Sequence, residues 1–258
     1  MRIVLLGAGR VSTHLHKALL KAGHEVCAVW SPTRGTTHDI STLPQDADAY
    51  IIAVKDDALQ DVIRQVTEGR EDRLFLHTAG SMPLSVFKGH CHRYGVFYPM
   101  QTFSLDREVN FCEIPLFIEA SDAASLQQVR ALADSVSQHV YDLSTEDRRY
   151  LHLAAVFACN FTNHCYALAA QVLAKKGLPF SVMLPLVDET ARKVHELHPV
   201  DAQTGPAVRN DQQVMVMQQA LLDSPLHREI YRLLSESIHQ QATDYDTLRL
   251  TEDTRHRV

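Results

Sequence analysis

Arg2-Ile3-Val4-Leu5-Leu6-Gly7-Ala8-Gly9-Arg10-Val11-Ser12 is the stretch from which the fold of the chain can be read. Its apolar start marks a strand buried inside a sheet. Val11, Leu15, Leu19 and Ala22 then recur at helical spacing, and Gly23 closes the helix. Gly7-Ala8-Gly9 lies between the two. Gly7 permits a tight turn, and Gly9 lets the backbone approach a pyrophosphate at the helix N-terminus. Gly7, Ala8, Gly9, Arg10 and Val11 are therefore the candidate phosphate-binding residues. The third glycine of the usual fingerprint is replaced by Ser12, which is still small enough for close helix–strand packing. Such a glycine pair is a weak signal alone and a strong one between a strand and a helix.

Working outward, strand and helix signals alternate. Glu25 to Trp30 reads as a second strand, stopped by Ser31-Pro32. Residues 35–46 are polar and without period, which predicts a short helix or loop. Ala49 to Val54 is a third strand, Leu59 to Val66 is helical, and Leu74 to His77 is a fourth strand. Val96-Phe97 and Pro115 to Ile118 supply two more, a helix follows from Ser125 to about Ser137, and His139 to Tyr141 is the last strand. Strands joined through helices imply crossovers and a parallel sheet. Continuous apolar strands imply helices on both of its faces.

Near Leu143 the pattern changes. Ser144-Thr145-Glu146-Asp147 is a helix start, with a hydroxyl cap and acids in the first turn. Helical patterns follow over Tyr150 to Lys175, Phe180 to Leu197, Asp211 to Leu222 and Pro225 to Tyr245. The expected fold class is α/β: a Rossmann parallel-sheet domain over residues 1–145, followed by an all-α C-terminal domain over 146–258.

The end of the second strand discriminates between cofactors. An NAD site usually places a carboxylate there for the ribose 2′-hydroxyl. Val29-Trp30-Ser31-Pro32-Thr33-Arg34 offers none. The hydroxyls of Ser31 and Thr33 and the guanidinium of Arg34 suit a 2′-phosphate, so NADP is the expected cofactor.

The chain has 258 residues, 45% hydrophobic and 22% charged, with a formal net charge of -6. That balance argues against a nucleic-acid partner or an anionic membrane surface. No apolar run approaches the roughly 18–20 residues that a membrane span needs. Met1 leads directly into a strand with no basic leader, so a cytoplasmic location is expected. The five cysteines form no CxxC pair and read as reduced thiols. His90-Cys91-His92 lacks a second ligand pair and reads as a solvated turn, so no metal is expected.

Four further segments appear together: Ala53-Val54-Lys55-Asp56-Asp57-Ala58-Leu59, His77-Thr78-Ala79-Gly80-Ser81, Gly95 to Phe103, and Thr204-Gly205-Pro206-Ala207-Val208-Arg209-Asn210-Asp211. As a set they resemble a family of Rossmann-like oxidoreductases whose helical C-terminal half is a domain of unknown function. That family is a branch of the 6-phosphogluconate dehydrogenase-like superfamily, akin to pyrroline-5-carboxylate reductase and the deazaflavin-dependent NADP reductases. Tyr98 stands where relatives commonly have histidine, and Asn210 where they commonly have glycine. The resemblance implies a cleft between the domains, with the nicotinamide passing Ala53, Val54 and Lys55 and then His77, Thr78, Ala79 and Gly80.

On the helix from Tyr150, His152, Val156, Asn160 and Asn163 or His164 recur at spacings of three or four, which puts the polar ones on one face. Related dehydrogenases carry a lysine and an asparagine there; here the lysine is missing. His152 and His77 are the candidate proton-transfer groups, with Asn160 and Asn163 to hold a substrate oxygen. Buried hydrogen-bond networks or a dimer seam would equally explain them. Arg209 is a candidate anchor for a substrate carboxylate, with Asp211 capping the next helix; each could equally be a surface charge. The same helix is apolar nearly all round, which predicts a homodimer through the C-terminal domain. Two functions follow: an NADP-dependent oxidoreductase acting on a small carbonyl, imine or alcohol, or a non-catalytic NADP-binding sensor or regulatory dimer.

Overall fold

Alternate residues of one strand serve the two faces of a sheet, and the first strand, β1 (Arg2–Leu6), does so with its whole apolar run. Ile3 and Leu5 enter one core cluster; Val4 and Leu6 enter another. β3 (Ala49–Ile52) and β4 (Leu74–His77) are buried at every residue and divide in the same way. The first cluster is covered by Leu15 and Leu19 of α1 (Arg10–Lys21) and by Val129, Leu132 and Val136 of α3 (Ala123–Val136). The second is covered by Leu59, Val62, Ile63 and Val66 of α2 (Asp56–Thr67). Each such side chain, once fully buried, contributes about 1.5–3 kcal/mol.

A computed structural model describes residues 1–255, leaving 256–258 of the expected second domain outside the described residues. With β2 (Glu25–Trp30), β5 (Arg93–Pro99), β6 (Leu116–Ala120) and β7 (Val140–Asp142), the sheet has seven strands in the order β2-β1-β3-β4-β5-β6-β7. Its first five strands are parallel, and β6 runs antiparallel to β5. The sheet is parallel, as expected, except at this one pairing. The connection from Met100 to Pro115 holds only a 3-10 turn and no crossover helix, so the chain returns beside β5 in the opposite sense. α3 then restores a parallel pairing between β6 and β7.

Two compact units divide the chain, Met1–Asn160 and Phe161–Val258. The first runs past the boundary expected at 145, because α4 (Thr145–Ala155) is tied to the sheet. Ser144 caps it by accepting from Asp147 N at 3.1 Å. Arg148, 1% exposed, donates to Glu119 of β6 at 2.7 Å and to the Met82 carbonyl at 2.7 Å.

The second unit contains α5 (Thr162–Ala174), α6 (Leu184–Glu196), α7 (Pro199–Ala202), α8 (Gln212–Ala220) and α9 (Pro225–Arg255), with no strand among the described residues. Lys175 ties the end of α5 to the Leu221 carbonyl and to Asp223, at 2.9 and 2.7 Å. Asp211 caps α8, as expected, by accepting from Val214 N. A π-helical segment, Val156–Phe161, interrupts the long helix expected over Tyr150 to Lys175. Extra residues per turn break the even spacing on which the shared face of His152, Asn160 and Asn163 was predicted.

Candidate functional site

At the end of β1 the chain makes the turn that its glycines predict. Gly7 has φ +120°, and a Cβ there would lie 2.3 Å from the Ala53 carbonyl oxygen. Both backbone and packing therefore demand glycine. Ser12 is buried, and its hydroxyl donates to the Gly7 carbonyl at 2.5 Å, so the fingerprint's missing third glycine has become a fastening for the turn. Gly9 is different. Its φ of -87° suits any residue, and a Cβ would meet nothing within 4 Å. The fold itself gives no reason for a glycine at this position. No side chain caps α1, and Ala8 and the exposed Arg10 flank an open helix N-terminus that fits a pyrophosphate. Val11 is half-buried and packs against the core.

After β2, buried Ser31 accepts from Thr33 N and Arg34 N, both at 3.4 Å, while His38 bonds the Ser31 carbonyl at 2.6 Å. Ser31 thus shapes the loop, and Thr33 and Arg34 are exposed on it. Gly35, overlooked in the sequence, makes the turn possible: a Cβ would fall 2.3 Å from the Val29 carbonyl oxygen.

Beyond β3, Ala53 and Val54 are half-buried, and exposed Lys55 stands at the cap position of α2. Beyond β4, Thr78 N donates to the Ile52 carbonyl at 3.1 Å, and Ser81 bonds Asp56. His77 is fully buried and stacks on Phe87, and its Nδ1 accepts from Ala79 N at 3.2 Å. Burial, assisted by the charge of Arg148, lowers its pKa from 6.5 to about 3. Between those values the unfolded chain holds a proton that the folded chain does not, so stability rises with pH. The contribution is fully present above 6.5 and is lost as pH falls towards 3. His77→Asn should flatten the difference in unfolding free energy between about pH 4 and pH 7, as read by urea melts; an unchanged slope would contradict a neutral, buried His77.

One cluster went unrecognised in the sequence. Tyr98, near the end of β5, has its hydroxyl 3.2 Å from Nδ1 of His152 on α4, with the rings edge to face at 6.1 Å. Gly80 closes the group: a Cβ would lie 2.7 Å from His152 Nδ1 and 2.9 Å from Tyr98 Cζ. Burial raises the Tyr98 pKa, so the phenol stays protonated at neutral pH; Arg148 opposes that shift and Cys159 adds to it. Arg148 stands one helical turn before His152, and that spacing was the available signal.

Asn160 is exposed on the π segment. In the second unit, Asn163, His164 and Arg209 are exposed. Asn210 has φ +52°, a left-handed conformation that asparagine tolerates better than most residues, which accounts for asparagine in a glycine position. Cys91 is buried in the core rather than in a solvated turn, its thiol pushed up to about 12. Among the described residues, no group of three or more His, Cys, Asp or Glu is placed to hold a metal ion, and no helix is long and apolar enough to cross a membrane.

A glycine turn at the topological switch between β1 and β3, with loops gathered at the carboxyl ends of parallel strands, defines a Rossmann-type protein of the dinucleotide-binding class. A family model described as a domain of unknown function, DUF2520, matches residues 114–238. A protein of Bacteroides fragilis, provisionally described as an NADP oxidoreductase, is 49% identical; the match covers 93% of this chain and 98% of that one, with a TM-score of 0.88. The chain belongs to this Rossmann-fold family with its C-terminal domain of unknown function, as its motifs predict. Two more distant structures share the fold. One is a Thermotoga maritima protein at 18% identity, covering 95% of this chain and 99% of that one, TM-score 0.68. The other is Plasmodium falciparum pyrroline carboxylate reductase with NADP bound, at 11% identity, covering 93% and 98%, TM-score 0.59. None of the curated proteins matches the chain.

Proposed function

We propose that the chain is an NADP-dependent oxidoreductase of the cytoplasm, acting on a small carbonyl, imine or alcohol. The observation that carries this is Gly9, a glycine with open space beside it at a helix N-terminus, where nothing in the chain itself requires one. The description of the Bacteroides fragilis relative as an NADP oxidoreductase supports the same assignment. When bound, NADPH supplies a hydride from its nicotinamide C4 to an electrophilic carbon. The turn Gly7-Ala8-Gly9-Arg10 holds the pyrophosphate, and Thr33 and Arg34 meet the 2′-phosphate. Ala53, Val54, Lys55, Thr78, Ala79 and Gly80 line the way to the nicotinamide, at the carboxyl ends of β3 and β4.

Calorimetry tests the cofactor assignment. NADP(H) should bind at least about tenfold more tightly than NAD(H), a difference of roughly 1.4 kcal/mol. Arg34→Ala should remove that preference and leave NAD affinity almost unchanged. Equal affinities in the wild type would exclude the assignment.

We also propose a homodimer through the C-terminal half. α5 has no buried residue in the single chain, and Val216, Met217, Leu221 and Leu226 are each more than 60% exposed. Apolar side chains at that density on one unit are characteristic of a surface covered by a partner. Light scattering at micromolar concentration should give twice the chain mass, and a monomer there would refute the dimer.

A further inference from the structure

We infer that the Tyr98 hydroxyl, hydrogen-bonded to His152 and walled by Gly80, is the group that delivers the proton to the carbonyl oxygen or imine nitrogen of the substrate. The inference rests on the oxidoreductase function proposed above and adds to it a donor that no sequence motif marks. Tyr98 is the penultimate residue of β5, two residues beyond the last β4–β5 pair, His77 with Val96, so it stands past the same carboxyl edge of the parallel strands as the Gly7 turn and Ala53. Ligands of this fold bind beyond that edge. Gly80 is a glycine by necessity of this cluster: any side chain there would displace the His152 ring or the Tyr98 phenol. Both partners are thus held in place by what surrounds them, which proton transfer requires.

The chemistry balances with the groups present. As the C=O or C=N carbon takes up hydride, the π pair moves onto oxygen or nitrogen, and that atom takes the proton of the Tyr98 hydroxyl. His152, as its Nδ1–H tautomer, returns that proton to the phenolate oxygen across the 3.2 Å contact while its Nε2 takes one from solvent, so the ring begins and ends neutral. His152 is only half-buried, so that exchange is open to it. Tyr98 is then the catalytic residue and His152 the positioning and relay residue. The charges that bear on the pair are Arg148 on the same helix, which favours the phenolate, and Cys159 on the π segment, which opposes it; His77 is kept neutral by its burial.

Nuclear magnetic resonance of the full chain, with ¹⁵N-labelled histidine and ¹³Cζ-labelled tyrosine, tests this without knowing the substrate. The probes are NADPH and NADP⁺, whose nicotinamide rings differ by one positive charge. Exchanging one for the other should shift the His152 Nδ1 and Tyr98 Cζ resonances, and Tyr98→Phe should remove most of the His152 response. A fluorescence titration run alongside reports whether NADPH binds at all. Binding with no difference between the two cofactor forms would overturn the inference and leave the oxidoreductase proposal standing. A His152 resonance indifferent to Tyr98→Phe would overturn it as well. No binding would bring down both.

Discussion

Arg148→Met is expected to destabilise the first unit by about 3 kcal/mol or more, because it leaves the Glu119 carboxylate without its counter-charge and the Met82 carbonyl without its Arg148 donor. Arg148 is 1% exposed and Glu119 has 21% of its side chain exposed, so this ion pair is not a surface one. Nη1 meets Glu119 Oε2 at 2.7 Å, while Nη2 meets the Met82 carbonyl at 2.7 Å and Thr145 at 3.2 Å. Methionine keeps the apolar stem of the arginine and removes every one of these donors. Glu119 then retains only the Thr145 hydroxyl, at 2.7 Å. Adding Glu119→Gln should recover part of the loss, since a neutral amide costs less to bury than a lone charge. Urea melts of the two variants decide the matter. A loss below about 1 kcal/mol for Arg148→Met would mean that the pair behaves as solvent-exposed pairs do.

The contrast between what was and was not legible follows the range of the interactions. The glycine turn after β1 was legible because its demands are local: Gly7 needs φ +120° and room beside Ala53. The caps Ser144 and Asp211 were legible for the same reason, each accepting from the amide three residues ahead. The direction of β6 depends on the route from Met100 to Pro115, where the absence of a helical period was a clue to an antiparallel return. The π segment had no signal, because Val156-Phe157-Ala158-Cys159 is apolar at whichever helical period is tried. His77 was correctly placed at a strand end, but its burial depends on Phe87 from a later turn. Tyr98 and His152 lie 54 residues apart and meet only because α4 packs back on the sheet, an event fixed by Arg148 and Glu119. The resemblance drew attention to Tyr98 as a departure, while its partner was named on other grounds.

Tyr98→Phe should lower the NADPH-dependent turnover of any carbonyl or imine that the wild type reduces by about 10²–10⁴-fold, the usual worth of a positioned acid. Phenylalanine keeps the ring contacts with His152 and Phe117 and removes only the hydroxyl. NADPH affinity should therefore hold, with the loss confined to the rate of the chemical step. His152→Ala should give a smaller loss than Tyr98→Phe, since the phenol remains and loses only its relay. The same rate experiment ranks the alternatives. Equal losses in the two variants would make the pair act as one unit, as coupled catalytic residues do. Full activity in both would place the proton with water or with the substrate itself. Tight NADPH binding with no turnover of aldehydes, ketones, imines or alcohols would favour the sensor function, and the Tyr98–His152 contact would then be one more tie between α4 and the sheet.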